Sequence, residues 1–308
     1  MLEVNLSGLK LKSPIILASG ILGVSFSSMK RVIDAGAGAV TTKSIGPKPR
    51  KGYKNPSIIE IYPGTFMNSV GLGNPGIKEF ISEIKEIKKH NITLIVSVFG
   101  NSNEEYLNVA TKAENAGADA IEINISCPHA EVSSIGIDKD LTYKIVKFLK
   151  KKLTTPLFVK LNPNVTNIVE IALAAEQGGA DGVVAINTLT ALKIDVNTKR
   201  PILSHGSGGL SGKAIHPIAV NKVYDLYKTL KIPIIGCGGI DSWQDVVEFF
   251  LAGASAVQIG TALYNGVEIL TEINHGITQY LKNNKFNSIN DIKGLAHQFK
   301  NQEVPDFD

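Results

Sequence analysis

EINISCP, at residues 122–128, is the most informative stretch of this sequence. It begins as an apolar, β-branched run that is typical of a buried strand, and it ends with an amide, a hydroxyl and a thiol. Pro128 follows, and proline ends a strand because it has no N–H group to donate to a neighbour. Asn124 and Cys127 are therefore predicted to lie where a strand leaves its sheet. If that strand is one of many parallel strands, Cys127 faces an active site.

Length and composition are compatible with one large barrel or with two ordinary domains. The chain has 308 residues, of which 44% are hydrophobic and 19% are charged, so it can bury a large core. The formal net charge is +4, from 32 basic and 28 acidic residues. Because these charges are interspersed along the chain, we expect no nucleic-acid partner.

The sequence contains two cysteines, Cys127 and Cys237. This number excludes a disulfide scaffold and a cysteine-rich metal or iron–sulfur site on this chain, and it is typical of a reducing compartment. No stretch approaches the ~20 apolar residues that a membrane span needs, and the N-terminus lacks the pattern of a signal peptide. We therefore expect a cytoplasmic protein with no membrane segment and no metal site.

Hydrophobic periodicity alternates between strand and helix patterns along the chain. After a small hairpin over residues 3–12, eight strands are predicted, at 14–18, 39–42, 93–98, 120–125, 157–161, 182–186, 233–236 and 256–259. Eight helices are predicted, at 26–35, 75–90, 103–116, 138–152, 167–177, 217–229, 242–251 and 267–282. This alternation favours an α/β fold of the (β/α)8 TIM-barrel type, with a doubly wound sheet as the alternative. Residues 1–308 are expected to form this barrel as a single domain.

A Gly-Ala dipeptide recurs at four helix-to-strand junctions. It begins at Gly36, Gly117, Gly179 and Gly253, and a small residue and an aliphatic strand follow nearby each time. Glycine at this position is expected to form the left-handed C-cap of the preceding helix. The recurrence of one junction around the chain supports the barrel.

Two long insertions interrupt the alternation after the second and sixth predicted strands. Residues 45–74 and 189–216 both follow a strand, on the side where barrels build their active sites. Long connections there are commonly functional, so both insertions are expected to contribute to a site. The C-terminal tail, residues 283–308, is expected to pack on the surface.

Polar residues follow the predicted strands at their C-terminal ends. Two lysines, two asparagines and one thiol would converge above a single barrel mouth; they are Lys43, Lys160, Asn124, Asn187 and Cys127. Each residue alone has an ordinary structural explanation, such as a strand-end lysine that reaches solvent. Their common position on the rim favours an active site.

Glycines after the last two predicted strands indicate a phosphate site. Gly238 and Gly239 follow one strand, and Gly260 and Thr261 follow the next. Their backbone N–H groups would lie beside helix N-termini, and barrels commonly bind phosphate in these two loops. We therefore expect a phosphorylated ligand there, with glycines that only permit tight turns as the alternative.

Lys160 and Cys127 each have more than one possible role. The charge of Lys160 could hold the electron-rich end of an aromatic cofactor, or its amine could form a Schiff base as in barrel aldolases. Cys127 could act as a base or as a nucleophile, since a free thiol with a pKa of about 8.5 is partly ionised at neutral pH. A nucleophile pair with His129 and a buried structural cysteine are the alternatives.

Together, the motifs resemble the class 1 dihydroorotate dehydrogenases, which are FMN-dependent (β/α)8 enzymes of pyrimidine synthesis. The resemblance covers nearly the whole chain, and NISCP and LSGKAIHP are similar to the 1B subtype. The matching stretches are LASG at 17–20, TKS at 42–44, MNSVGLGNPG at 67–76, NISCP at 124–128, VKL at 159–161, NT at 187–188, GGLSG at 208–212, GCGGI at 236–240 and GT at 260–261.

The resemblance implies one FMN per chain, lying across the barrel mouth. Its phosphate would be bound by Gly238, Gly239, Gly260 and Thr261, and the rest of it would be lined by Ser19, Lys43, Ser44, Asn124, Lys160, Ile186 and Gly212. Dihydroorotate, or its product orotate, would be bound by Lys43, Asn68, Ser69, Val70, Gly71, Leu72, Asn124, Asn187 and Thr188. The amides match the donors and acceptors of a pyrimidine, and Lys43 supplies positive charge to an anionic site.

The reaction implied by the resemblance is the oxidation of (S)-dihydroorotate to orotate. Cys127 would be the base that removes the C5 proton, while a hydride passes from C6 to flavin N5. The 1B subtype implies a homodimer core joined to partner subunits in a heterotetramer. Those partners would carry FAD and a [2Fe-2S] cluster and pass electrons to NAD⁺, since a chain with two cysteines cannot hold the cluster itself.

Two positions differ from the family pattern. His129 stands where the family usually has an asparagine that contacts substrate, and Ser97 replaces an asparagine of the third strand that contacts flavin. These differences leave open the oxidation of a related dihydropyrimidine at the same flavin site. The residues also leave open a Lys160 Schiff-base lyase and a binding or assembly subunit without enzymatic activity.

Overall fold

The computed structural model describes residues 1–125 and 135–298 of the chain. Within these residues the strands are, in chain order, β1 (Val4–Leu6), β2 (Leu9–Leu11), β3 (Ile15–Leu17), β4 (Ala39–Thr41), β5 (Ile58–Tyr62), β6 (Thr65–Asn68), β7 (Leu94–Val98), β8 (Ala120–Asn124), β9 (Leu157–Lys160), β10 (Gly182–Ala185), β11 (Leu189–Ala191), β12 (Ile194–Asp195), β13 (Arg200–Pro201), β14 (Gly208–Gly212), β15 (Ile234–Cys237) and β16 (Ala256–Ile259). Strands β3, β4, β7, β8, β9, β10, β15 and β16 pair in parallel, in this order, and close into a barrel. The predicted TIM barrel is therefore confirmed.

Helices alternate with the barrel strands around the outside. Within the described residues they are α1 (Phe26–Asp34), α2 (Ile77–Lys89), α3 (Asn103–Ala116), α4 (Lys139–Lys150), α5 (Ile168–Gly178), α6 (His216–Tyr227), α7 (Trp243–Ala252) and α8 (Ile269–Asn283). Side-chain caps explain where several begin: Ser25, Ser102 and Ser242 each accept a hydrogen bond from the first turn of their helix. Predicted and observed ends agree within about two residues, the usual margin for such boundaries.

The barrel strands are buried on both faces. The barrel interior packs against one face and the surrounding helices pack against the other, so a strand needs apolar residues at consecutive positions. In β7, Leu94, Ile95 and Val96 are all fully buried. This double burial explains why the strands appear in the sequence as continuous apolar runs.

Three of the four recurring glycine junctions have the predicted left-handed C-cap. Gly117, Gly179 and Gly253 are left-handed C-caps, with φ of 111°, 97° and 115°. At the fourth junction Ala35 is the cap of α1, and Gly36 follows it with φ of 107°. A residue with a side chain would be strained in this conformation, so glycine ends the helix and lets the chain turn into the next strand.

The two long insertions combine into one antiparallel sheet, which the sequence did not predict. Strands β5 and β6 come from residues 45–74, and β11 and β14 come from residues 189–216. The sheet order is β11, β14, β6, β5. Its central pair joins Asn68 to Gly209, 141 residues apart, and β14, with the sequence GGLSG, has too few side chains to show a strand pattern. The two insertions thus form a single sheet, which lies at the end of the barrel where the C-terminal ends of the strands meet.

The ends of the chain cover other parts of the barrel. The predicted hairpin is present as β1 and β2, and the Ser7 hydroxyl donates to the carbonyl of Asp181, just before β10. The described part of the tail packs more deeply than expected, since Ile289 and Ile292 are fully buried.

None of the helices that the structure describes is both long enough and apolar enough to cross a membrane.

Candidate active site

Four polar side chains at the barrel mouth form a hydroxyl cluster: Ser19, Ser44, Ser97 and Asn124. The hydroxyl oxygens of Ser19 and Ser44 are 3.4 Å apart. The Ser44 hydroxyl also shares a hydrogen bond of 2.9 Å with Ser97, and it accepts one of 3.1 Å from the side-chain amide of Asn124. Three predicted cofactor residues therefore meet at Ser44, which lies at the centre of the cluster.

Ser97, which replaces an asparagine of the family pattern, is hydrogen-bonded to Ser44 in the cluster. It is fully buried on β7, and its backbone N–H donates to the Thr42 hydroxyl over 3.0 Å. The short Ser97 side chain reaches Ser44, which follows the neighbouring strand β4. An asparagine at position 97 would need more space in this packed interior. Asn124 is held from the other direction, because the Tyr106 hydroxyl of α3 donates to its carbonyl over 2.8 Å. The cluster is thus positioned by the barrel and by a surrounding helix.

Lys43 brings a positive charge to the same mouth. It lies just after β4, and its backbone N–H donates to the carbonyl of Gly23 over 2.8 Å. Partial burial lowers the pKa of the Lys43 ammonium below its ordinary value, because burial removes water from the charge. Among the residues that the structure describes, no acceptor binds this ammonium. An anionic ligand at the mouth would therefore be attracted to it.

Lys160 lies deeper and is held by other side chains. Its ammonium, at the end of β9, donates to the side-chain oxygen of Gln258 on β16 over 2.8 Å. The amide nitrogen of Gln258 donates in turn to Glu122 on β8 over 2.6 Å. Burial raises the pKa of the Glu122 carboxyl, although the Lys160 charge and the Gln258 hydrogen bond oppose this effect. The three side chains form a buried polar chain that we call the interior relay.

Three of the predicted phosphate residues, Gly238, Gly239 and Gly260, form together with Gly212 a surface that we call the glycine wall. Gly239 has φ of 68°, and a Cβ atom added there would lie 2.7 Å from the carbonyl oxygen of Gly212. A Cβ atom on Gly238 would lie 2.7 Å from that of Ala219 in α6. Backbone segments can approach this closely only because the side chains are missing.

The glycine wall can bind an anion. Within the described residues, the backbone N–H groups of Gly238 and Gly239 donate to no protein acceptor, although most backbone N–H groups in proteins are paired. Gly260 packs against Ala18, and Thr261 begins a 3-10 helix, Thr261–Asn265. Unpaired N–H groups in a concave glycine turn suit the oxygens of a phosphate, so the residues fit the phosphate of FMN.

The predicted substrate loop, residues 68–72, is held in place by the side chain of Asn74. The Asn74 side chain accepts hydrogen bonds from the backbone of Gly46 and Gly76, over 3.1 and 2.8 Å, and donates to the carbonyl of Leu72 over 2.9 Å. Leu72 has φ of 54°, which is unusual for a residue with a side chain. This combination holds the loop, which includes Ser69, Val70 and Gly71, in one conformation.

The second insertion brings the remaining substrate candidates to the same place. Asn68 donates from its side chain to the carbonyl of Gly209 over 3.2 Å. A Cβ atom on Gly209 would clash with the Thr188 hydroxyl, so Thr188 also lies against this strand. The Thr188 backbone N–H donates to the Asn187 side chain over 2.8 Å. Asn68 and Thr188 therefore lie against β14, and Asn187 is bonded to Thr188.

The predicted base and the unusual histidine lie outside the described residues. Cys127 and His129 are within residues 126–134, and β8 ends at Asn124, just before them. Ile186, another predicted cofactor residue, is buried and donates from its backbone to the carbonyl of Cys237 over 2.7 Å. The roles of Cys127 and His129 remain predictions from the sequence.

Sequence reasoning missed Glu122 and Gln258. Both side chains are almost fully buried, at 1% exposed, within strands that are otherwise apolar. A carboxylate inside a buried strand is rare unless it is paired, and this was the signal available for Glu122. Nothing in the local sequence indicated that Gln258 would reach it from 136 residues away.

A further group of titratable side chains lies behind the glycine wall. His216, Asp245 and Glu248 offer possible ligand atoms within 4.8 Å of one another. However, Asp245 closes the capping box of α7 with Ser242, and His216 is hydrogen-bonded to Glu248 over 2.9 Å. The start of α7 accounts for Asp245 and this hydrogen bond for one ring nitrogen of His216, whereas the other, Nδ1, is buried with no hydrogen-bond partner in the described residues.

Comparisons with known proteins identify the family of this chain. A sequence model of the family described as dihydroorotate dehydrogenase matches residues 1–281. Two relatives are named dihydroorotate dehydrogenase B (NAD(+)), catalytic subunit. The protein of Pyrococcus horikoshii is 51% identical over 299 residues, covering 96% of this chain and 98% of the relative. That of Methanocaldococcus jannaschii is 47% identical over 305 residues, covering 97% and 99%.

A solved structure has the same fold. The crystal structure of DHODH from Eimeria tenella in complex with ferulenol superimposes with a TM-score of 0.85. The match covers 96% of this chain and 89% of that one, at 23% sequence identity, and so supports the barrel alone. The match of the family model over most of the chain, together with relatives of about half identical sequence, shows that this chain belongs to the dihydroorotate dehydrogenase family.

Proposed function

We propose that this chain is the FMN-binding catalytic subunit of an NAD⁺-linked dihydroorotate dehydrogenase, acting as a single barrel domain. Members of the family are oxidoreductases of pyrimidine synthesis, and their reaction is the oxidation of dihydroorotate to orotate. The observation that most directly supports FMN is the glycine wall. Within the described residues, the backbone N–H groups of its Gly238 and Gly239 have no protein acceptor. A phosphate is the ligand group that such a wall favours.

The residues of the mouth divide into those that suit the cofactor and those that suit the substrate. The FMN phosphate would be bound by Gly238, Gly239, Gly260 and Thr261. The rest of the cofactor would be lined by Ser19, Lys43, Ser44, Asn124, Lys160, Ile186 and Gly212. Lys43 would attract the substrate carboxylate, because its ammonium has no acceptor within the described residues. The amides of Asn68 and Asn187 would match the pyrimidine N–H and C=O groups. FMN, when bound, supplies an acceptor for the hydride of the substrate.

Proton removal is assigned to Cys127. The residue comes three positions after Asn124, the last residue of β8, which lies in the hydroxyl cluster. A thiol with a pKa of about 8.5 can accept a proton near neutral pH in a closed site. We therefore propose that Cys127 takes the C5 proton of dihydroorotate, with the substrate oriented by the two insertions.

The relatives named as catalytic subunits support a partner subunit. We propose that the partner carries FAD and a [2Fe-2S] cluster and passes electrons to NAD⁺, and that two copies of each chain form a heterotetramer around a homodimer of this chain. Two cysteines are too few for a [2Fe-2S] cluster that is held by four thiolates. The cluster must therefore be bound by another chain.

The experiment that tests this proposal is anaerobic mixing of the purified protein with dihydroorotate. We expect a yellow protein whose visible flavin absorbance disappears on mixing, and a co-purifying subunit with FAD and iron–sulfur that makes NAD⁺ reduction possible. A protein that cannot be reconstituted with FMN would contradict the proposal. A borohydride-trapped substrate adduct on Lys160, formed without flavin, would favour the lyase instead.

Gly239→Ala is expected to weaken FMN binding by about tenfold or more. The added Cβ atom would lie 2.7 Å from the carbonyl oxygen of Gly212 and 2.9 Å from the backbone nitrogen of His216, and φ is 68°. The left-handed conformation alone costs about 1–2 kcal/mol for a residue with a side chain, and the wall must also move. Fluorescence titration of the apoprotein with FMN measures the change.

The matched control for this substitution is Gly8→Ala. Gly8 also has a left-handed φ, of 96°, but nothing lies within 4 Å of an added Cβ atom, and it is in the hairpin at the other end of the barrel. Gly8→Ala should therefore destabilise the fold slightly and leave FMN affinity unchanged. Equal FMN affinities of the Gly239→Ala and wild-type proteins would show that the wall does not bind the phosphate.

Ser97→Ala is expected to reduce FMN affinity about fivefold. The substitution removes the hydroxyl that is 2.9 Å from Ser44, and Ser44 is the centre of the cluster. Loss of one buried neutral hydrogen bond costs about 1 kcal/mol. The same FMN titration measures it, with Ser82→Ala on the exposed face of α2 as the control. Unchanged FMN affinity in Ser97→Ala would mean that the cluster does not support the cofactor.

A further inference from the structure

The interior relay joins opposite sides of the barrel beneath the mouth. Gln258 is on β16 and Glu122 is on β8, which are four positions apart in the circular order of eight strands. Lys160, Gln258 and Glu122 are 6%, 1% and 1% exposed. The relay is thus inside the barrel, where layers of apolar side chains usually fill the space.

The chemistry of the three groups determines the direction of the relay. A lysine ammonium can only donate, so the carbonyl oxygen of the Gln258 amide must be the atom that faces Lys160. The amide NH₂ group must then face Glu122, and it lies 2.6 Å from one carboxylate oxygen. It is also 3.5 Å from the hydroxyl of Thr41 on β4. Because Glu122 orients the amide, it also orients the acceptor that holds Lys160.

Stability does not explain the relay. A buried ion pair is commonly no more stabilising than apolar side chains of the same size, because two charges must leave water. The second carboxylate oxygen of Glu122 is buried, and within the described residues it has no hydrogen-bond partner. An unpaired buried acceptor costs free energy. The charges are therefore better explained by what Lys160 does at the mouth.

We propose that Gln258 and Glu122 are positioning residues for Lys160, and that the negative charge of Glu122 limits how strongly Lys160 stabilises the reduced form of the bound cofactor. This inference rests on the proposed function, because it takes Lys160 to contact FMN. Burial disfavours the charged form of Glu122, whereas the Lys160 ammonium and the Gln258 hydrogen bond favour it; with Glu122 ionised, the pair carries no net charge. Removal of the carboxylate charge would leave Lys160 uncompensated, and a positive charge favours the electron-rich form of a neighbouring group.

The test is the reduction potential of FMN bound to Glu122→Gln. This substitution keeps an acceptor for the Gln258 amide and removes the charge. We expect reduced FMN to gain affinity over oxidised FMN by about tenfold, since a unit charge in a protein interior has an effect of this order. For a two-electron couple, a tenfold change is a shift of about +30 mV. Anaerobic titration against a dye of known potential measures it without any turnover.

Thr41→Val is the matched control. Thr41 is fully buried and lies next to the relay, but it is neutral, so the potential should stay at the wild-type value. A Glu122→Gln protein that binds FMN at the wild-type potential would overturn the inference. The same holds if Thr41→Val and Glu122→Gln shift the potential equally, since a packing change would then explain both.

A second variant covers the case in which Glu122→Gln does not fold. Gln258→Met has a side chain of similar length and breaks the relay while both charges remain. Because Lys160 is then free to leave its position, we expect a changed potential and a weaker affinity for oxidised FMN. If neither variant folds, the relay is structural and the inference is wrong. If the wild-type protein itself does not bind FMN, the proposed function fails, and the inference fails with it.

Discussion

Cys127→Ser is expected to slow reduction of the bound flavin by dihydroorotate about 10²–10⁴-fold at neutral pH, the usual contribution of a positioned base. A serine hydroxyl holds its proton far more tightly than a thiol does, so almost none of it is ionised near neutral pH and able to accept a proton. FMN should remain bound, because the residues that suit the cofactor are elsewhere on the mouth. Stopped-flow measurement of flavin absorbance under anaerobic conditions gives the rate.

Cys237→Ser is the matched control for the loss of a thiol. Cys237 is the other cysteine of the chain and ends β15, and it has no assigned role in binding or proton transfer. The flavin of the Cys237→Ser protein should be reduced at the wild-type rate. If the flavin of the Cys127→Ser protein is also reduced at that rate, another group removes the C5 proton. A serine variant whose flavin is reduced faster at high pH, as the serine hydroxyl ionises, would support the assignment.

Lys43→Met is expected to weaken the binding of orotate and dihydroorotate about ten- to a hundredfold. A hydrogen bond to a charged group contributes about 1.5–3 kcal/mol, and the Lys43 ammonium has no acceptor of its own within the described residues. Methionine has a similar length and no charge, so FMN binding should change less than orotate binding. Titration of the oxidised protein with orotate, followed by the flavin spectrum, measures the affinity.

The exposed Lys48, in the insertion that follows Lys43, provides the control, since Lys48→Met removes an equal charge from the surface. Its orotate affinity should match that of the wild type. If Lys43→Met binds orotate as tightly as the Lys48 variant does, then Lys43 does not contact the substrate. If the Lys43→Met protein instead loses FMN, Lys43 contacts the cofactor and not the substrate.

The lowered pKa of Lys43 also predicts how orotate affinity changes with pH. A lysine is charged below its pKa, and burial lowers the pKa of Lys43 from its ordinary value of 10.5. The wild-type protein should therefore bind orotate tightly near neutral pH and lose affinity as the pH rises through this lowered pKa. Lys43→Met should not show this loss. A pH dependence that is the same in both proteins would assign it to another group, such as the ligand itself.

Local patterns in the sequence predicted the barrel and most of its rim. Apolar runs such as residues 93–98 indicate a strand that is buried on both faces, and glycines such as Gly117 indicate a left-handed helix end. Each of these two patterns can be recognised from a few neighbouring residues. Once eight strands alternate with eight helices, the strand ends must share one side of the barrel. The position of Lys43, Asn124 and Lys160 on that side followed from the alternation alone.

Only the tertiary structure determined which of these groups touch one another. Ser44 meets Ser97 across 53 residues, Asn68 meets Gly209 across 141, and Gln258 joins Lys160 to Glu122 across 98 and 136. Contacts of this kind depend on strand register and on the closure of the barrel, which brings distant strands to face each other, and no local pattern records them. The sequence by itself determined the barrel, the rim and the chemistry present there, whereas closure of the barrel decided that Glu122 and Gln258 lie beneath Lys160.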